Sequence, residues 1–123
     1  MATNGVNDGT VLQWTNGTGS DVSSGDIVVV GQMLACALVD IASTATGSVK
    51  TNYVFEAPKV DAAVIAQGES LTWDVSAGAF DDNAATPATG DVTGPPAVAV
   101  EAKGATTSDT IKVKLTGVPG TVT

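Results

Sequence analysis

The residues able to do chemistry are few in this chain, and their spacing restricts them further. It has no His and no Arg, five lysines and a single cysteine. Without His, the commonest general acid–base group and metal ligand is missing. Without Arg there is no bidentate clamp for phosphate or carboxylate. Cys36 lies in Leu34-Ala35-Cys36-Ala37-Leu38, an apolar setting with no neighbouring cation. That context fits a small buried hydrophobe better than a reactive thiolate, which needs an electropositive site. A lone cysteine also forms no internal disulfide, so the fold does not depend on an oxidising compartment.

Four other groupings carry some chemical promise. Asp81-Asp82-Asn83 with Asp91 offers oxygen ligands of the kind calcium takes, but lacks the EF-hand spacing and its closing Glu. A solvated acidic loop is the simpler reading. Asn16-Gly17-Thr18 matches the glycosylation sequon, and with no secretory leader visible we read it as a turn. A Ser–Lys nucleophile pair remains open in principle, although nothing singles one out. Paired carboxylates for glycoside hydrolysis need an aromatic-lined cleft, and the five aromatics are required by the core. Lys112 and Lys114, with Lys103 nearby, form a short basic stripe. It serves either simple solvation or contact with an acidic partner, and such lysines often guard open β edges.

The elements that must position these residues are short strands. At 123 residues the chain fits one domain. Its hydrophobic residues make up 43%, mostly Ala and Val, and aromatics only 4%. A thin core follows, with Trp14, Trp73, Phe55, Phe80 and Tyr53 as its large anchors and association supplying part of the stability. Residues 1–9 are polar and aperiodic and form an arm outside the core; residues 10–123 form one β-rich domain. Alternation marks strands at 10–15 and, most clearly, through Val49, Thr51, Tyr53 and Phe55 up to Pro58. Ile27-Val28-Val29-Val30 is a β-branched strand. Residues 31–42 fit helical spacing as well as a hairpin partner, and we take them as strand. Residues 60–66 fit one helical turn. Ser24-Gly25-Asp26 and Gln67-Gly68-Glu69 share turn chemistry and each launches a strand, a hint of internal pseudo-symmetry. Ala77-Gly78 turns the chain back, residues 81–94 form a long polar loop, and strands follow at 97–102 and 110–116. Ile111, Val113 and Leu115 point inward there, and residues 117–123 are a tail that adds nothing to the core. The expected fold class is all-β, a small β-barrel or β-tulip-like domain with an extended N-terminal arm and at most one short helix.

Net charge limits the partners. A formal charge of −8 repels nucleic acid and anionic membranes, because phosphate binding depends on cationic residues. No apolar run approaches the ~20 residues needed to span a bilayer. The composition leads to no enzyme, no cofactor and no metal site, and the lack of a visible signal to a chain made in a cytoplasm.

The order of these turns and strands resembles a family of small tailed-phage capsid cement, or head decoration, proteins. Val22-Ser23-Ser24-Gly25-Asp26-Ile27-Val28 with Val30-Gly31 resembles the first block of that family. Tyr53-Val54-Phe55-Glu56-Ala57-Pro58-Lys59 is similar to the central block. Ile65-Ala66-Gln67-Gly68-Glu69-Ser70-Leu71-Thr72-Trp73-Asp74 is similar to the third, and Ile111-Lys112-Val113-Lys114-Leu115 fits the final strand. Gly94-Pro95-Pro96 and the long 81–93 stretch depart from the pattern. The resemblance implies a module similar in kind to the lambda-type head decoration protein: a homotrimer on the outer surface of the expanded capsid in the virion, clamping neighbouring copies of the major capsid protein. Residues of the arm, Ala2, Thr3, Asn4, Gly5, Val6, Asn7 and Asp8, are then the expected capsid contacts. A surface-displayed carbohydrate-binding or adhesion module and a tail component of a virion are the alternatives.

Overall fold

A computed structural model describes residues 9–105 and 110–123. The described residues are all β, in three antiparallel sheets. The first is ordered β1-β4-β3-β2 and contains β1 (Val11–Thr15), β2 (Ile27–Val30), β3 (Met33–Ala37) and β4 (Thr46–Lys50). The second is ordered β5-β10-β9, from β5 (Asn52–Pro58), β9 (Ala97–Ala99) and β10 (Thr110–Thr116). The third is ordered β11-β8-β6-β7, from β6 (Thr72–Asp74), β7 (Ala79–Asp81), β8 (Val92–Thr93) and β11 (Thr121–Val122). Single bridges such as Lys59–Phe80 and Ser70–Val98 stitch the second sheet to the third. The all-β expectation holds, and among the described residues the three sheets close no barrel.

Packing divides into two clusters. The main core takes Ile111, Val113 and Leu115 of β10 together with Leu34, Ile65, Leu71, Trp73 and Phe80. Trp73 meets Phe80 edge-on, ring centroids 4.8 Å apart, a favoured aromatic geometry. A smaller cluster lies on the opposite face of the first sheet, where Val22 and Ile41 cover Val28, Ala35, Ala37 and Val49, with Leu12, Trp14 and Val30 half-buried at its rim. Sheet one is therefore apolar on both faces, which explains why Ile27-Val28-Val29-Val30 is an unbroken β-branched run.

Several expectations change. Residues 49–55 are not one strand: the chain leaves the first sheet at buried Thr51, whose N–H bonds Thr10 O at 2.8 Å, and enters the second at Asn52. Tyr53 falls just past this crossover and is 62% exposed; it is no core anchor. Residues 60–66 form no helical turn. Their carbonyls are claimed by Lys59, buried at the end of β5, whose Nζ donates to Val60 O (2.7 Å), Asp61 O (3.2 Å) and Ala63 O (2.8 Å). All three ammonium protons are used, and the loop wraps the cation. Asp81 belongs to β7 and Val92–Thr93 to β8, so the polar loop is shorter than expected. The tail contributes β11, paired to β8 through Thr121↔Thr93 and Val122↔Val92. Residues 31–42 do supply the hairpin partner to β2.

The turn resemblance between Ser24-Gly25-Asp26 and Gln67-Gly68-Glu69 proves to be a complete hydrogen-bonded unit, and it occurs three times. In Ser23-Ser24-Gly25-Asp26, the Ser23 N–H donates to the Asp26 carboxylate (3.0 Å) and the Asp26 N–H to Ser23 O (3.0 Å). The Gly25 N–H donates to Ala37 O and the Ala37 N–H to Asp26 O, so two residues oppose one in a glycine-type β-bulge. Ala66-Gln67-Gly68-Glu69 repeats every bond against Ala99, and Ala88-Thr89-Gly90-Asp91 repeats them against Thr123. Gly25, Gly68 and Gly90 have φ of 94°, 87° and 92°, in the region that disfavours any Cβ. In the first two clasps even the second residue is equivalent, Ser24 Oγ donating to Leu38 O and Gln67 Nε2 to Val100 O.

The acidic composition has its structural use here. Apart from Glu56 and Asp61, every described carboxylate accepts a backbone N–H: Asp21 from Ser43, Asp40 from Ser24, Asp82 from Ala84 and Glu101 from Lys112 are further cases. Asp74 takes the Ser76 hydroxyl at 2.8 Å and the N–H groups of Ser76 and Ala77. The Ser76 hydroxyl first, and the Ala77 amide second, hold its carboxyl below the ordinary carboxylate range.

Three outcomes are expected. Gly25→Ala and Gly68→Ala each lower the urea unfolding free energy by about 1–2 kcal/mol at unchanged m-value, since an added Cβ meets nothing within 4 Å and only backbone strain acts. Lys59→Met leaves three carbonyls without their donor and costs at least about 3 kcal/mol. For Asp74 the folded carboxyl ionises more readily than the unfolded one, so its contribution is fully present above the unfolded pKa and is lost as pH falls through the lower folded pKa. The stability gap between wild type and Asp74→Ala, followed by denaturant titration across the acid range, should therefore be widest above about pH 4 and shrink steadily below it.

Candidate interaction surface

The sequence's catalytic candidates are built into the scaffold. Burial raises the pKa of the Cys36 thiol, and the charge of Asp26 raises it further, which is the reverse of nucleophile activation. Lys59 spends its protons on three carbonyls, so it offers no base to a serine. Among the described residues no three His, Cys, Asp or Glu side chains come together to hold a metal ion. Asp81 and Asp82 cap the next turn, while Asp91 is buried and accepts from Val75 and Ala88. Asn16 of the sequon is fully buried. Its Nδ2 donates to Ser20 O and Ile41 O, and its Oδ1 accepts from the Thr18 N–H and hydroxyl; it braces a loop and presents nothing to solvent. Among the described residues no helix is long and apolar enough to cross a membrane.

The basic stripe sits elsewhere than at an edge. Lys112 and Lys114 point outward from β10, the middle strand of its sheet, opposite Glu56 and Val54 respectively. Lys103 lies 3.9 Å from Glu101. Lys112 and Lys114 therefore guard no open edge. The expected arm contacts, Ala2 to Asp8, lie outside the described residues.

What the structure offers to a partner is edges and apolar surface. β2 closes the first sheet on one side, and its bonding parity follows from the first clasp. Because Ala37 N–H reaches Asp26 O, the hydrogen-bonded pairs of this hairpin are Val28↔Ala35 and Val30↔Met33. The N–H and C=O groups of Ile27 and Val29 thus face away from β3, along the open edge. Beside that edge runs a groove of about 600 Å³ between the first and third sheets, lined by Val22, Ile27, Val29, Pro58, Trp73 and Val75 among others. Leu38, Val39, Val54 and Val118 add exposed apolar surface elsewhere. Exposed Tyr53 packs on Phe55 with Lys50 Nζ 5.3 Å from its ring centroid.

Sequence reasoning missed the third clasp, Lys59 and the groove. The clasp was signalled by Gly90-Asp91 ahead of Val92-Thr93, the same Gly–acid step as in the other two, concealed within a long polar stretch. Lys59 gave no signal beyond following Pro58. The groove joins residues from β2, β5 and β6 that no local pattern connects.

No curated protein and no solved structure matches this chain. A family model described as phage cement protein does, over residues 6–115, a span that takes in the first two clasps, the acidic turn of the third, the β2 edge and the groove. Such proteins are structural and non-enzymatic components that stabilise the virion capsid, and this chain, matched along nearly its whole length, belongs to the phage cement protein family.

Proposed function

We propose that the chain binds the outer surface of the expanded capsid as a homotrimer and clamps neighbouring copies of the major capsid protein, without catalysing a reaction. The observation that carries this reading is the family match over residues 6–115. The physical features accord with it. A scaffold held by turn clasps and short strands, with open edges and a thin Ala/Val core, gains stability from association. A net charge of −8 suits a surface turned away from a packaged genome. A protein that binds the expanded lattice better than the unexpanded one stabilises it by that difference in affinity. Many bridging copies reinforce one another, because each tethered contact raises the effective concentration of the next.

Residues Ala2, Thr3, Asn4, Gly5, Val6, Asn7 and Asp8 are proposed as part of the capsid contact. They precede Gly9, and β1 begins two residues later at Val11; only Asp8 among them carries a side-chain charge.

Sedimentation of the purified chain with expanded capsids lacking it tests the reading. Binding should saturate at a fixed ratio to the major capsid subunit, with little binding to unexpanded shells; equal binding to both shells, or none, contradicts it. Removal of residues 1–8 should weaken attachment while leaving the urea unfolding curve in place. Unchanged attachment would remove the arm from the contact.

A further inference from the structure

We propose that the open edge of β2 and the groove beside it receive an extended segment of the major capsid protein, one with alternating apolar side chains and a Lys or Arg at the end that meets the first clasp. The inference rests on the capsid reading above and names the surface and the chemistry that reading leaves open.

The geometry supplies both halves of a strand-addition site. Outward N–H and C=O groups at Ile27 and Val29 provide main-chain partners in register, and the groove supplies a place for alternate side chains of the added strand. Its walls are apolar on both sides: Ile27 and Val29 from the first sheet, Pro58 from the second, Trp73 and Val75 from the third. Native sheets usually blunt an open edge with lysine, proline or a charge turned inward. β2 carries none of these along Ile27–Val30, so the edge is unguarded where the groove lies.

Charge selects the occupant. Asp26 lines the groove at its clasp end. Asp21 precedes Val22, another lining residue, and Asp40 holds the Ser24 N–H next to Gly25. All three carboxylates are exposed, and no lysine lies among the lining residues. A second copy of this chain, itself at −8, approaches that end against repulsion, whereas a segment ending in a cation is drawn to it. The capsid subunit is the partner already required by the proposed function, and the groove defines what its segment must look like.

Two substitutions test this in the full-length chain. Val29→Pro removes one outward N–H and leaves the β2–β3 ladder intact, since Val29 makes no bond to β3; proline is tolerated on edge strands. Val75→Arg fills the groove from a side chain that is 40% exposed and outside both core clusters. Val75→Arg should keep the urea midpoint near that of wild type, Val29→Pro should lower it because Val29 also packs against the main core, and each, compared as folded protein, should lose on the order of tenfold or more in affinity for expanded capsids. If wild type binds capsids and folded Val29→Pro and Val75→Arg bind within about twofold of it, the groove inference is overturned and the capsid reading stands. If wild type itself does not bind, both fall together. Should either variant instead change the chain's own association state in analytical ultracentrifugation at full capsid affinity, a second copy is the occupant and the capsid segment is rejected. If the Val29→Pro effect vanishes once residues 1–8 are deleted, the chain's own arm is the occupant, with the same consequence.

Discussion

The constraint on which this structure depends is the pairing of a left-handed glycine with an acidic residue that folds back onto the amide three positions earlier. Each clasp does two things at once. It satisfies backbone donors that a sharp turn would strand, and it inserts the extra residue that sets the following strand into its bonding parity. β2, the segment leading into β6, and β8 all begin this way. Their partners, β3, β9 and β11, are likewise fixed by the amide that reaches back to the acid's carbonyl. With few large side chains in the core, register has to be imposed locally, and backbone hydrogen bonds to carboxylates impose it.

This accounts for a composition that is otherwise hard to place. An acidic protein without Arg is readily taken as a solvated, self-repelling surface. Here most of the described carboxylates work as backbone caps, and the charge is a by-product of how the turns are made. Lys59 applies the same logic with the sign reversed, one buried cation ordering three carbonyls where a helical turn fails to form. The clasp that opens β2 also decides which of its groups face outward, so the scaffold's local chemistry determines the chemistry offered to a partner.

Much of the fold was legible in the sequence, and for definite reasons. β10 alternates Ile, Lys, Val, Lys, Leu between one buried and one open face, and period-two patterns of that kind survive any tertiary context. β2 and its hairpin partner were legible from β-branching and the short connection. Residues 49–55 misled because alternation continues smoothly across a change of sheet, and only the Thr51–Thr10 bond marks the break. Residues 60–66 misled because helical spacing is cheap to satisfy over one turn, while a buried ammonium claiming the same carbonyls leaves no trace in sequence. Of the candidate interaction surface, the family blocks quoted for the resemblance do contain β2, Pro58 and Trp73. That these residues face one another across a groove depends on three sheets meeting, which no local pattern encodes.

The most direct measurement is amide hydrogen exchange, resolved by residue, on the free full-length protein. Slow exchange is expected at Ser23, Ala66 and Ala88, whose amides are held by the clasp carboxylates, and fast exchange at Ile27 and Val29, whose amides face the open edge. Fast exchange at the clasps would show that they do not hold the fold. Slow exchange at Ile27 and Val29 would show the edge already covered in the free protein, leaving no docking strand for a capsid segment.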